Sequence, residues 1–212
     1  MKKCIIIAGG ELDVQPNTSE CDMLICADSG YSHAEKFGIT PDVIIGDFDS
    51  FTGQLPADVE VIRSAPEKDD TDTLMAVKLA IARGAQDITL YGGFGGRFDH
   101  TFANLQAMKF ALNNRIRMRI ADRNNVAELF EEGIHIFKRR GAYFSVFAYS
   151  DKAYIEKLSG VKYPLRNAIL TNGVPLGVSN EIVHEQAFLE ISSGTVLVIN
   201  STFAGEKSSQ NR

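Results

Sequence analysis

Four short runs dominate the first half of the sequence: CIIIAGG from Cys4, MLICADSG from Met23, DVIIGDFDS from Asp42 and ITLYGGFGG from Ile88, each apolar and β-branched and each ending in Gly, Asp or Ser. A run without polar alternation leaves no face for water, so it belongs to a strand covered on both sides, the situation of a parallel sheet flanked by helices. Helical patterns stand between the runs. YSHAEKFGI reads as a short helix stopped by Gly38, Thr71 to Arg83 as a longer one stopped by Gly84, and His100 to Leu112 as a third with Phe102, Leu105, Met108 and Leu112 at helical spacing. The alternation predicts an α/β layer fold with a mostly parallel sheet.

Beyond RIRMRIAD the texture changes. VAELF, HIFK, YFSVFAYS, YIEKL, AFLEIS and TVLVIN are short, partly alternating and separated by Gly, Asn, Asp or Ser, which predicts an all-β antiparallel sandwich or barrel. The boundary is expected between Ala121 and Asn125, giving an α/β domain over 1–122 and a β domain over 123–212.

Charge excludes some functions. Lys and Arg number 22 against 27 Asp and Glu, and a net charge of −5 gives no general attraction for nucleic acid or an acidic membrane. No segment reaches the roughly 20 apolar residues of a membrane span, and the run after MKK is too short for a signal peptide. Cys4, Cys21 and Cys26 are odd in number and lack metal spacing, so a reduced, cytoplasmic protein is expected.

The strand ends carry unusual charge. In an extended segment residues i and i+2 project to one side, so Asp47 and Asp49 of GDFDS would converge beyond the strand, where two anions need a cation. Mg²⁺ suits them, because it takes one or two carboxylates, keeps some water and completes its shell with phosphate oxygens. The alternative is a plain turn, which Asp47 and Ser50 also favour. In EKDDTDT, Asp70 or Thr71 would cap the helix and Asp72 would suit its positive end. Capping does not require Lys68 or Asp69, which points to a further metal or phosphate contact there. Asp28 of CADSG ends another strand in the same way. In YGGFGGRFDH, glycines would let backbone N–H groups approach anionic oxygens and Arg97 would offer a planar fork to them; alternatively, Gly92 and Gly93 serve a tight turn and Asp99 caps the helix beginning at His100. His100 is either a ligand-binding group, an outer support of the site or a core histidine. His33, His135 and His184 form no zinc spacing and read as surface or structural groups.

ADSG, GITPDVIIGDFDS, DDTDTLMAV, GGFGGRFDH, GVSNE and GTVLVIN together resemble, in order and approximate spacing, the motif set of the thiamine pyrophosphokinase family, over almost the whole chain. The resemblance implies transfer of the pyrophosphoryl group of ATP to the hydroxyethyl oxygen of thiamine, giving thiamine diphosphate and AMP. It also implies an N-terminal α/β domain, a C-terminal β-sandwich that binds thiamine, and a homodimer with the thiamine sites near the subunit interface. Carried onto this chain, it implies that Asp28, Asp47, Asp49, Asp69 and Asp72 serve metal and nucleotide phosphate. Arg97, Asp99 and His100 would then lie near the reacting groups, with Ser179 and Asn180 in the substrate motif.

On that reading Arg97 and Lys68 would stabilise charge on the leaving AMP, and Asp72 and Asp99 are the candidates to accept the thiamine hydroxyl proton. Thiamine is cationic and aromatic and the chain has no Trp, so Tyr163 is expected to stack on it; otherwise Tyr163 is a strand aromatic of the sandwich. The rival functions are a pyrophosphokinase for another hydroxyalkyl heterocycle, such as a pterin, and a non-catalytic nucleotide or thiamine sensor.

Overall fold

The computed structural model describes residues 1–48, 55–64 and 69–202. The chain divides into two compact units, Met1–Arg123 and Asn124–Arg212.

In the first unit the elements run β1 (Lys3–Ile7), β2 (Met23–Ala27), α1 (Gly30–Lys36), β3 (Val43–Gly46), β4 (Glu60–Arg63), α2 (Asp72–Ala82), β5 (Asp87–Tyr91), α3 (Phe98–Asn113) and β6 (Arg117–Ala121). The strands are all parallel, in the order β4-β3-β2-β1-β5-β6. Every residue of β2 and β3 is buried, as the unbroken apolar runs require of strands covered on both faces. From β1 the chain lays β2, β3 and β4 to one side, then returns to lay β5 and β6 on the other. The order therefore reverses between β1 and β5, and in open sheets of this kind ligands settle in the crevice at the carboxyl ends there.

Helix starts decide which side chains reach that crevice. Thr71 caps α2, its side-chain oxygen accepting from the Leu74 N–H at 3.2 Å, and Asp72 sits in the first turn as the dipole favours. The start of α3 departs from expectation. It begins at Phe98 with Arg97 in the cap position, and Asp99 lies inside the first turn instead of capping a helix at His100. The buried face of α3 is Asn104, Ala107, Met108 and Ala111, with Phe102 turned to solvent. Among the described residues no helix is long and apolar enough to cross a membrane.

The second unit is antiparallel throughout. Its strands are β7 (Asn125–Phe130), β8 (Gly133–Lys138), β9 (Tyr143–Ala148), β10 (Lys152–Ser159), β11 (Leu165–Thr171), β12 (Gln186–Ser193) and β13 (Val196–Ser201). They lie in the orders β7-β13-β9 and β11-β10-β12-β8. One apolar core joins the two sets, with Phe144, Val146, Val196 and Val198 from one and Ile155, Leu158, Leu189 and Ile191 from the other, so the unit is a sandwich.

Candidate active site

A cleft of about 570 Å³ opens at the carboxyl ends of β1, β2 and β5, where the strand order reverses. Its walls come from the turn after β1 (Gly9, Gly10, Glu11), the β2 end (Asp28), and the turn after β5 leading to Arg97. The first turns of α2 and α3 supply Asp72 and His100, and the second turn of α3 supplies Asn104.

The two glycine turns are stitched together. Ala8 donates its N–H to Tyr91 O (2.8 Å), Gly10 to Gly92 O (2.9 Å) and Glu11 to Phe94 O (3.2 Å). Glycine is required at this seam: Gly92 has φ +67°, and a Cβ there would lie 2.2 Å from the Ala8 carbonyl oxygen.

Asp28 is the most unusual side chain of the cleft. Its backbone is left-handed, φ +48°, held by an N–H bond to Ile45 O at 2.8 Å, and carboxylate oxygen Oδ1 is buried with no hydrogen-bond partner. Strain and an orphaned acceptor at one residue mark a position kept for something other than stability. Asp72 enters from α2, with Ser64 Oγ 3.4 Å from its Oδ1. Arg97 grips Asp99 through both carboxylate oxygens, Nε to Oδ1 at 3.2 Å and Nη2 to Oδ2 at 2.6 Å. That bond, with help from the His100 N–H, holds the Asp99 carboxyl below the usual carboxylate range.

Of the residues singled out in the sequence, Asp28, Asp72, Arg97 and His100 line this one cleft. Asp47 follows β3 on the strand beside Asp28 but is not part of the lining. The extended geometry that would set Asp47 and Asp49 on one side ends at Phe48, which is left-handed with φ +58°. Asp49 and Lys68 lie outside the described residues. Asp69 is exposed ahead of α2, and Asp70 pairs with Lys78 at 2.5 Å. Glu11, His33 and Asn104 also face the cleft and were not identified as site residues from the sequence; the spacing of Asn104 four residues after His100 was the available signal.

Among the described residues no group of three or more His, Cys, Asp or Glu side chains forms a ready cation site. The donor chemistry nevertheless fits a hard cation: a buried carboxylate oxygen without a protein donor and a second carboxylate in the same cleft are oxygen ligands of the kind Mg²⁺ takes.

In the second unit, Tyr163 is 59% exposed, with Lys162 Nζ 5.6 Å from its ring centre. Asn180 is buried and engaged with the backbone: Nδ2 donates to Tyr163 O (2.8 Å), and Oδ1 accepts from the N–H groups of Tyr163 and Glu181 (both 2.9 Å). Its amide thus fixes the connection between β10 and β11 that presents Tyr163, which is not a strand residue of the sandwich. Ser179 is exposed and left-handed, φ +56°, its N–H donating to Ser145 Oγ at 3.0 Å.

Two family models match the chain: the thiamin pyrophosphokinase catalytic domain over residues 14–120 and the thiamin pyrophosphokinase vitamin B1 binding domain over residues 132–196. A thiamine pyrophosphokinase from Bacillus subtilis (strain 168) is 32% identical, over 95% of this chain and 100% of that protein. The crystal structure of thiamine pyrophosphokinase from Bacillus subtilis superposes with a TM-score of 0.86 at 31% identity, covering 95% of this chain and 99% of that one. Thiamin pyrophosphokinase from Geobacillus thermodenitrificans superposes with a TM-score of 0.82 at 28% identity, covering 96% and 99%.

Proposed function

The chain belongs to the thiamine pyrophosphokinase family, and from that premise we propose that it transfers the pyrophosphoryl group of ATP to the hydroxyethyl oxygen of thiamine. That oxygen attacks the β-phosphorus of ATP as the bond from the β-phosphorus to the oxygen bridging the α-phosphorus breaks. Thiamine diphosphate forms, AMP departs with the bridging oxygen, and the hydroxyl proton passes to a base. The observation that carries this reading is the cleft at the β1/β5 reversal, which is lined by glycine turns, Arg97 and Asp28 with its unpartnered oxygen.

Transfer of this kind asks for in-line positioning and neutralised charge more than covalent help. We assign the polyphosphate to the glycine turns, with His100 beside it and Arg97 and Lys68 stabilising charge on the departing AMP. Asp28 and Asp72 would hold Mg²⁺ together with Asp47, Asp49 and Asp69, and the bound cation offsets charge on the phosphate oxygens. The hydroxyl proton passes to an aspartate left unligated by the cation, with Asp72 and Asp99 the two candidates. Asp99 orients Arg97 and the thiamine end of the site.

For the second unit we propose thiamine recognition by Tyr163 and Ser179, with Asn180 fixing the Tyr163 backbone. Free Cys4, Cys21 and Cys26 support a cytoplasmic setting. We further propose a homodimer. The exposed side chains Ile134, Ile136, Phe188, Tyr154 and Ile169 lie on the outer face of the four-stranded sheet, with Phe188 opposite Ile136 and Tyr154 opposite Ile169. An apolar surface of that kind is suited to a second copy.

The test is to incubate the purified protein with ATP, Mg²⁺ and thiamine and to identify the products. AMP with thiamine diphosphate is expected; ADP would refute diphosphate transfer, and AMP produced only with a pterin would select the rival acceptor. Asp47→Asn and Asp49→Asn should each reduce turnover by about 10² or more, the scale for loss of a charge-stabilising group, with the circular dichroism unchanged.

A further inference from the structure

The two glycine turns assigned to the polyphosphate, with the residues flanking them, carry backbone carbonyls whose negative ends would repel phosphate oxygens. Five of them are occupied by donors. Tyr91, Gly92 and Phe94 receive the N–H groups of Ala8, Gly10 and Glu11. The other two are taken by side chains: Asn104 Nδ2 donates to Gly93 O at 2.9 Å, and His33 Nε2 lies 2.7 Å from Gly10 O. A carbonyl can only accept, so His33 must carry its proton on Nε2. Asn104 is 5% exposed, His33 is half-buried, and both line the cleft.

We infer that His33 and Asn104 are positioning residues that set the electrostatic polarity of this wall. In a trans peptide the carbonyl and the following N–H point to opposite sides, so gripping a carbonyl also aims the next amide. His33, by holding Gly10 O, aims the Glu11 N–H, which is found on Phe94 O. Asn104 does the same for the peptide joining Gly93 and Phe94. Without either donor, one carbonyl dipole in a glycine turn is left unpaired and able to swing toward the nucleotide. A buried Asn on one helix and a histidine on another thus each reach out of their helix to a glycine carbonyl, 11 and 23 residues away.

The inference rests on the assignment of the cleft to ATP. Its signature is a loss of affinity that grows with the number of phosphates, which a merely structural role would not produce. The experiment measures dissociation constants for ATP, ADP, AMP and adenosine by titration calorimetry on the full chain in Mg²⁺, without thiamine. Wild type is compared with Asn104→Leu and His33→Phe, which keep approximate size and lose the donor, and with His33→Gln, whose amide nitrogen can replace Nε2. Thermal melts confirm that each variant is folded. Asn104→Leu and His33→Phe should weaken ATP about tenfold, the scale of one buried hydrogen bond. AMP should weaken less and adenosine hardly at all, while His33→Gln stays near wild type. Equal losses for ATP and adenosine, or no loss for ATP, would overturn the inference and leave the nucleotide site standing. Failure of wild type to bind ATP would overturn both. If Asn104→Leu does not fold, Asn104→Ala, which removes the donor without adding charge, must show the same phosphate-graded loss.

Discussion

Asp28→Asn should make the protein more stable and nearly inactive. The side chain ends β2 in a left-handed conformation with one carboxylate oxygen buried and unpartnered. Leaving a buried acceptor unmade costs about 1–3 kcal/mol, more when it is charged. Asn keeps the shape and tolerates the same backbone, but carries no charge, so it should recover about 1–2 kcal/mol of that penalty. For a chain of this size 1 kcal/mol moves Tm by about 2–4 °C, so Tm should rise by roughly 2–8 °C. Ligand reverses the order. At about 100 Kd of Mg²⁺ and nucleotide, wild type should gain about 2.7 kcal/mol, while the variant, lacking the anion the cation needs, gains little. Differential scanning fluorimetry with and without Mg²⁺ and ATP reads both effects, and turnover should fall by about 10²–10³. A lower Tm in the unliganded variant would mean that the carboxylate is satisfied within the protein. An undiminished ligand shift would mean that Asp28 plays no part in binding.

Two further perturbations test the glycine seam and the buried thiols. Gly92→Ala combines a left-handed backbone with a Cβ 2.2 Å from the Ala8 carbonyl oxygen and should cost about 2–4 kcal/mol in urea denaturation; Gly96→Ala, at φ +62° with no atom within 4 Å, should cost only about 1 kcal/mol, and equal losses would refute the packing argument. Burial pushes the Cys4 and Cys26 thiols up to about 12 from an ordinary 9.0. The unfolded chain therefore releases protons above pH 9 that the folded chain retains, and stability falls between pH 9 and 12 by up to about 1.4 kcal/mol per pH unit for each thiol. Cys26→Ala should flatten that slope in urea midpoints measured from pH 8 to 10.5, and an unchanged slope would refute it.

The elements legible in the sequence were those whose neighbours are local or whose burial is complete. β1, β2 and β3 announce themselves as apolar runs because both of their faces are covered, and α2 by Thr71, Asp72 and Gly84, whereas β5, read as the same kind of run, alternates buried Ile88 and Leu90 with half-buried Thr89 and Tyr91. β4 and β11 passed unseen for the opposite reason. Each lies at a sheet edge, β4 is only four residues long with both ends exposed and the middle half-buried, and β11 carries exposed Arg166 and Asn167. An edge strand is defined by the single neighbour it pairs with, and no property of its own side chains identifies that neighbour.

The same distinction separates the site residues. Asp28, Asp72, Arg97 and His100 could be singled out because each stands at the end of an element, and the reversal between β1 and β5 gathers those ends into one cleft. Asp99 also stands at such an end but turns to Arg97, whose guanidinium two residues away takes both of its carboxylate oxygens. His33 and Asn104 sit in the interiors of helices, where a polar side chain is usually read as a solvated or structural group. Their partners are carbonyls of glycine turns on other elements, which no periodicity connects to them. Side chains at the ends of elements can be singled out by type and position along the chain, whereas a side chain whose partner is a carbonyl of a turn on another element is tied to that partner only once the turn is in place.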